Sequence, residues 1–162
     1  MLVADTSALV SLQHAAVLDT VLAEWGVATT ERVLAELRDT ASYDDGDAAA
    51  ATAVLERTSE FSVRAVDDAL TSSRIDAGEG SAAVLARDSG ADFLLTDDLR
   101  ALPELQRAVS AEVAISPIVL PALVARGVLE RSDARSRLDT LAERRGWLGA
   151  PLYERAQSLF EE

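Results

Sequence analysis

Short apolar runs alternate with longer segments of helical periodicity along this chain, and that alternation narrows the fold before any single residue is considered. "MLVAD" is a short buried strand ending in an acid, and "TSALVSLQHAAVLDTVLAEW" follows with apolar residues at helical spacing behind a good capping residue. Gly26 closes that helix, "VAT" makes a second strand, and "TERVLAELRDTA" begins another helix with Val33, Leu34 and Leu37 as its inward stripe. Residues 44 to 58 read as an alanine-rich helix, "FSVRAV" as an edge strand, and "DDALTSSRI" as a short helix or turn. "DAGEGSAAVLARDSG" is a helix with an acidic start and a Gly90 stop, feeding the strand "ADFLLTDD". "ALPELQRAV" gives a short helix and "AEVAIS" a last strand; from Pro117 onward every segment is helical, each with its own cap or breaker. The predicted fold is α/β: a three-layer sandwich with a mostly parallel central sheet and a helical C-terminal segment, in one domain over residues 1–162.

A chain of 162 residues encloses a substantial core without staples. With 49% hydrophobic residues but only 4% aromatic, that core is built of Ala, Val and Leu. The absence of cysteine excludes thiolate catalysis, cysteine-ligated zinc and disulfides together. No basic region precedes the first apolar residues, and no apolar stretch approaches the roughly 18 residues a membrane span needs, so the expectation is a soluble cytoplasmic protein with no membrane partner.

The formal net charge is -13, and all 15 basic residues are arginine. An acidic, lysine-free surface resembles the chains of salt-adapted archaea, and the "YDDGDAAAA" run reads as solvated. Such a surface repels phosphate at low salt, but at about 1 M salt the Debye length is about 3 Å and only local charge geometry matters. Global charge therefore does not exclude RNA.

Ligands of an open parallel sheet bind beyond the carboxyl ends of its strands, and acids collect there. Asp5 follows the first strand, Asp97 and Asp98 follow "FLL", Glu79 lies in the first turn of the helix feeding that strand, and Glu36 sits one turn into the helix after the second strand. Bringing ionised carboxylates within about 4 Å costs on the order of 4 kcal/mol per pair at an effective dielectric of about 20. Either protons are taken up or cations bind, and hard oxygen ligands without His or Cys select Mg²⁺ or Mn²⁺. Each acid also has a plainer role: Asp76 and Glu79 have the form of a capping box, Asp5 and Asp98 are plausible helix starts, and Glu36 is placed to pair with Arg32.

Taken in order, "VADTSALVSL", "ATTERVLAEL" and "DAGEGSAAVLARDSGADFLLTDD" resemble the motifs of the PIN domain, the small metal-dependent nuclease fold typified by the VapC toxins of toxin–antitoxin pairs. The helical end "ARGVLERSDARSRLDTLAERRG" resembles that of a PIN subgroup whose third motif is Gly-Glu, here Gly78-Glu79, where many toxins have Asp. The resemblance implies a Mg²⁺- or Mn²⁺-dependent endoribonuclease with Asp5, Glu36, Glu79 and Asp98 as catalytic acids. It implies Asp5 and Asp98 as the most direct metal ligands, with Glu79 and the adjacent Asp97 as further candidates. Ser7 orients Asp5, and Thr96 occupies the Thr of the T-x-D pattern. RNA as substrate, a cognate antitoxin and a homodimer belong to the same expectation. Arg100 and Arg107, just past the acids, are candidate RNA contacts.

His14, the sole histidine, lies by periodicity away from the acid edge, in a packing or surface role. Trp25 and Trp147 read as anchors at helix ends, and the tail arginines, Arg126, Arg131, Arg135, Arg137, Arg144 and Arg145, as pairing with nearby acids on helix surfaces or as a local phosphate track beside an acidic body. Two other functions stay open: a non-catalytic PIN module that binds RNA or acts as a scaffold, and a phosphoryl-transfer enzyme of another α/β family. The latter is disfavoured because "DTS" lacks the second Asp two residues on that an aspartyl-phosphate mechanism commonly uses.

Overall fold

A computed structural model describes all 162 residues. Five strands, β1 (Leu2–Ala4), β2 (Val27–Thr30), β3 (Ser62–Arg64), β4 (Phe93–Leu95) and β5 (Glu112–Ala114), form one sheet in the order β3-β2-β1-β4-β5. All four pairings are parallel, so the sheet is wholly rather than mostly parallel. The helices are α1 (Thr6–His14), α2 (Leu18–Glu24), α3 (Glu31–Ala41), α4 (Gly46–Leu55), α5 (Ala77–Ser89), α6 (Leu102–Ala108), α7 (Val119–Ala125), α8 (Arg131–Arg145) and α9 (Pro151–Ser158).

Right-handed crossovers decide which face each helix covers. Moving outward from β1 to β2 and β3 places α1 to α4 on one face; the return to β4 and on to β5 places α5 and α6 on the other. The strands supply both cores by alternation. Leu2, Ala4, Val27, Leu95 and Ala114 pack toward α1–α4, where the tail helices α7–α9 also dock. Val3, Ala28, Leu94 and Val113 pack toward α5 and α6. The order of the strands reverses between β1 and β4, and at such a switch point a crevice opens at the carboxyl edge. Asp5 leaves β1 there and Asp97 and Asp98 leave β4 there.

Two elements differ from the sequence expectation. The helix expected over residues 6–25 is two helices meeting at 111°, broken where Ala16 takes a left-handed φ of 54°. No Gly or Pro marks the break; it is held from far along the chain. Arg137 donates to the carbonyls of Ala15 and Ala16 at 3.3 and 2.7 Å, and Arg144 to that of His14 at 3.1 Å. Two guanidinium groups from α8 thus cap the carbonyl end of α1, where positive charge is favoured. These tail arginines serve backbone carbonyls, not the acids expected for them.

The alanine-rich helix ends at Leu55 rather than 58, giving way to a single 3₁₀ turn at Thr58–Glu60. "DDALTSSRI", open between a short helix and a turn, forms no helix. This segment crosses α5 as a loop: Leu70 N–H donates to the Gly80 carbonyl at 3.4 Å, and Ile75 is buried among the α5 side chains. Backbone meets backbone at Gly80, where a Cβ would fall 1.8 Å from the Leu70 carbonyl oxygen. Gly80→Ala therefore has to push the loop off α5, with an expected loss of about 1–3 kcal/mol in chemical denaturation. Gly26→Ala, with open space around the new methyl, serves as the near-neutral control.

Candidate active site

A cleft of about 400 Å³ opens at the carboxyl edge, lined by six carboxylates, Asp5, Glu36, Asp39, Asp47, Asp76 and Glu79, and by one cation, Arg145. Three of the four acids expected to act together, Asp5, Glu36 and Glu79, share it. Asp98 lies just outside its lining, close enough for its charge to raise the pKa of Glu79.

Local folding pins one oxygen of each of these acids and leaves the other. Asp5 caps α1: its Oδ1 accepts from Ala8 N–H at 2.9 Å and from the Ser7 hydroxyl at 2.8 Å. Its Oδ2 is buried with no hydrogen-bond partner; the nearby Thr96 hydroxyl lowers the Asp5 pKa without satisfying that oxygen's geometry. Glu36 accepts at Oε2 from the Thr6 hydroxyl. Glu79 and Asp76 form the capping box that the sequence spells, Glu79 N–H to Asp76 Oδ1 at 2.8 Å and Asp76 N–H to Glu79 Oε2 at 3.0 Å. The cap and the cleft position coexist, because only Oε2 is so engaged. Asp98 accepts at Oδ1 from Arg100 and Ala101 N–H at 2.8 and 3.4 Å, opening the turn into α6.

Asp97 is the exception and a correction to the sequence expectation. Its Oδ1 accepts from Ser116 N–H and its Oδ2 from the Ser116 hydroxyl, each at 2.7 Å. Both oxygens are committed, and the buried carboxylate ties β4 to the turn after β5 rather than facing the cleft. Its own N–H donates to the Ser7 oxygen at 3.0 Å, so Ser7 bridges the two lips of the switch point.

Burial sets the electrostatics. Desolvation raises the Asp5 carboxyl from 3.8 to about 7 against the lowering effect of the nearby Thr96 hydroxyl and the hydrogen bonds of Ala8 and Ser7. It raises Glu79 from 4.5 to about 8, helped by the charges of Asp76, Asp5 and Asp98. Glu36 is also raised by desolvation, opposed by the Thr6 hydroxyl. The donor set is all oxygen, and Asp5 Oδ2 is a buried acceptor with nothing to accept, so the residues fit a hard divalent cation. No three of the acids converge on one point as the side chains stand. Mg²⁺ does not require that, since it keeps several waters and takes one or two carboxylates directly.

The glycine of the Gly78-Glu79 pair has a steric reason. A Cβ on Gly78 would lie 2.2 Å from Glu36 Oε2 and 2.3 Å from Oε1. The Glu36 carboxylate occupies the space a side chain would fill.

Asp47, Asp39, Asp76 and Arg145 enter the cleft without having been expected there, and His14 contacts Asp47 from outside its lining. His14 is buried, with Nε2 2.7 Å from Asp47 Oδ1, and Asp47 Oδ2 accepts from Arg145 at 3.1 Å. The "YDDGDAAAA" run is thus not uniformly solvated: Asp45 caps α4 and Asp47 faces the site. Contacts between residues 14, 47 and 145 leave no local signal in a single sequence. Neither Arg100 nor Arg107 lines the cleft. Both are exposed, and Arg107 lies on the last turn of α6, which runs back from the acid edge by roughly 10 Å.

A family model described as a PIN domain matches residues 1–162, the whole chain. The chain belongs to the PIN-domain family. PIN domains are generally nucleases that use divalent metals and act on RNA, and a nuclease-type function follows for this fold and edge. The chain matches none of the curated proteins.

Two measurements follow from the geometry. Both carboxyls are raised, so without metal the folded state holds more protons than the unfolded one between roughly pH 4 and 8, and stability falls as pH rises through that window. Thermal melts in EDTA across this range should show that fall, with a shallower slope in Asp5→Asn. Gly78→Ala should melt near the wild-type temperature, since only the flexible end of Glu36 must move. Added Mn²⁺ should raise the melting temperature of the wild type, and Gly78→Ala should lose much of that rise; an undiminished shift would mean that the Glu36 position is irrelevant to the cation.

Proposed function

We propose that this PIN domain is a Mg²⁺- or Mn²⁺-dependent endoribonuclease. The observation that carries the reading is the buried, unpartnered Asp5 Oδ2 in a cleft shared with Glu36 and Glu79. In this reading Asp5 and Asp98 hold the cation most directly, through the oxygens their caps leave free, and Glu36 and Glu79 act through waters. The bound ion would supply neutralisation of the phosphodiester charge and a more acidic water for in-line attack.

The remaining work belongs to the chain's own groups. The Ser7 hydroxyl and Ala8 N–H hold Asp5 Oδ1 on the end of α1 and so fix the orientation of the carboxylate. The Thr6 hydroxyl and the space at Gly78 hold Glu36 in the cleft, and the Asp76 N–H does the same for Glu79. A carboxyl as basic as that of Glu79 is suited to hold a proton near neutral pH. No protein nucleophile is needed, and the product carries a 5′-phosphate.

The motif order that resembles the VapC toxins supports a toxin role, with a protein antitoxin that occludes the acidic cleft and a homodimer as the working form. The runner-up is a non-catalytic PIN module, favoured by the absence of three converging ligands.

The test is cleavage of labelled RNA in high KCl with Mg²⁺, Mn²⁺ or EDTA, beside Asp5→Asn. The expected result is cleavage that requires metal and falls at least 100-fold in the variant, on the scale of losing a group that stabilises the transition state. RNA binding without cleavage under every metal condition would favour the non-catalytic module instead. For the toxin role, expression should arrest growth, and co-expression of a neighbouring gene should relieve it.

A further inference from the structure

The cation that faces the six carboxylates is held in place by an arrangement of its own. Helix α8 ends at Arg145, where Gly146 takes a left-handed φ of 67° and Trp147 folds back to donate to the Ala142 carbonyl at 2.8 Å. That turn brings the buried Trp147 ring beneath the guanidinium, 5.8 Å from the ring centroid. From the other side Asp47 Oδ2 accepts from Arg145 Nη1 at 3.1 Å. His14 Nε2 faces Asp47 Oδ1 at 2.7 Å and so carries the proton of that contact.

The guanidinium is fixed but far from satisfied. It has five N–H donors; Nη1 is bonded to Asp47, while Nε is buried without an acceptor. The side chain is 17% exposed, and what it exposes is the cleft. The buried Nε keeps the guanidinium plane fixed in the wall, and the Nη donors not bonded to Asp47 face the cleft, where a substrate can bring the acceptor. A flat guanidinium with donors to spare matches two oxygens of a phosphodiester better than any other common group.

We propose that Arg145 is the cleft's phosphate-binding residue, oriented by the Asp47–His14 pair and the Trp147 ring, and that it grips a non-bridging oxygen of the RNA backbone beside the acids. This rests on the ribonuclease reading and adds to it a residue from the C-terminal helices, outside the acidic motifs. In a cleft otherwise lined by carboxylates, one fixed cation gives the polyanion a direction of approach.

The test is binding of a fluorescent single-stranded RNA oligonucleotide in Ca²⁺, which takes the same oxygen ligands with looser geometry, over a series of KCl concentrations. Wild type, Arg145→Gln and Arg145→Lys are compared, with melting temperatures to show that each is folded. Arg145→Gln should weaken binding about tenfold or more and flatten the plot of log K against log salt by about 0.7, one phosphate contact on a single strand. Arg145→Lys should keep the slope but not the full affinity. In Mg²⁺ the glutamine variant should also cleave more slowly at saturating RNA. Should Arg145→Gln melt lower yet bind with unchanged affinity and slope, Arg145 is a structural counter-ion and the proposal falls alone. Should wild type neither bind nor cleave RNA, this proposal and the ribonuclease reading fall together.

Discussion

Burial of carboxylates at the β1/β4 switch point is the constraint around which this site is organised. The sheet brings Asp5 and Asp98 to opposite lips of one crevice, and α3 and α5 add Glu36 and Glu79. Asp5, Glu79 and Asp98 each cap their own helix or turn with one oxygen, and Glu36 accepts with one oxygen from the Thr6 hydroxyl. The second oxygen is what distinguishes a site from a set of caps. At Asp5 it is buried and unpaired, and burial there raises the carboxyl to about 7.

The rest of the fold serves that edge. Ser7 joins the Asp5 turn to the Asp97 turn, and Asp97 spends both oxygens on Ser116, so the β4–β5 side of the crevice is tied down from within. The helical tail returns across the α1–α4 face to close the broken end of α1 with Arg137 and Arg144 and to set Arg145 in the cleft. An acidic chain concentrates its few cations where backbone carbonyls or the site require them. Surface ion pairs such as Arg57–Asp19 contribute little by comparison, and less in salt.

Strand–helix alternation was legible because it depends only on local period, and it carried the layer architecture, the parallel sheet and the edge at which the acids emerge. The acids were legible for the same reason: each sits at a fixed offset from the end of a strand or the start of a helix. What the sequence hid depends on distant partners. The α1–α2 break carries no Gly or Pro and is held by arginines more than a hundred residues away. Asp97 and Asp98 are chemically identical neighbours, and only the Ser116 contacts tell them apart. Residues 67–75 stayed open between helix and turn, and the loop they form is decided by a distant landing on α5 at Gly80. Asp47 looked solvated among acids and alanines until Arg145 and His14 met it.

The most direct measurement is calorimetric titration of Mn²⁺ into the protein at near-neutral pH and high KCl, with Asp5→Asn and Asp97→Asn alongside. Saturable binding in the wild type, abolished at residue 5 and little altered at residue 97 in a variant shown to be folded, is the predicted outcome. Equal binding in the wild type and Asp5→Asn, or none in either, would contradict the claim that a shared cation is what these carboxylates were brought together to hold.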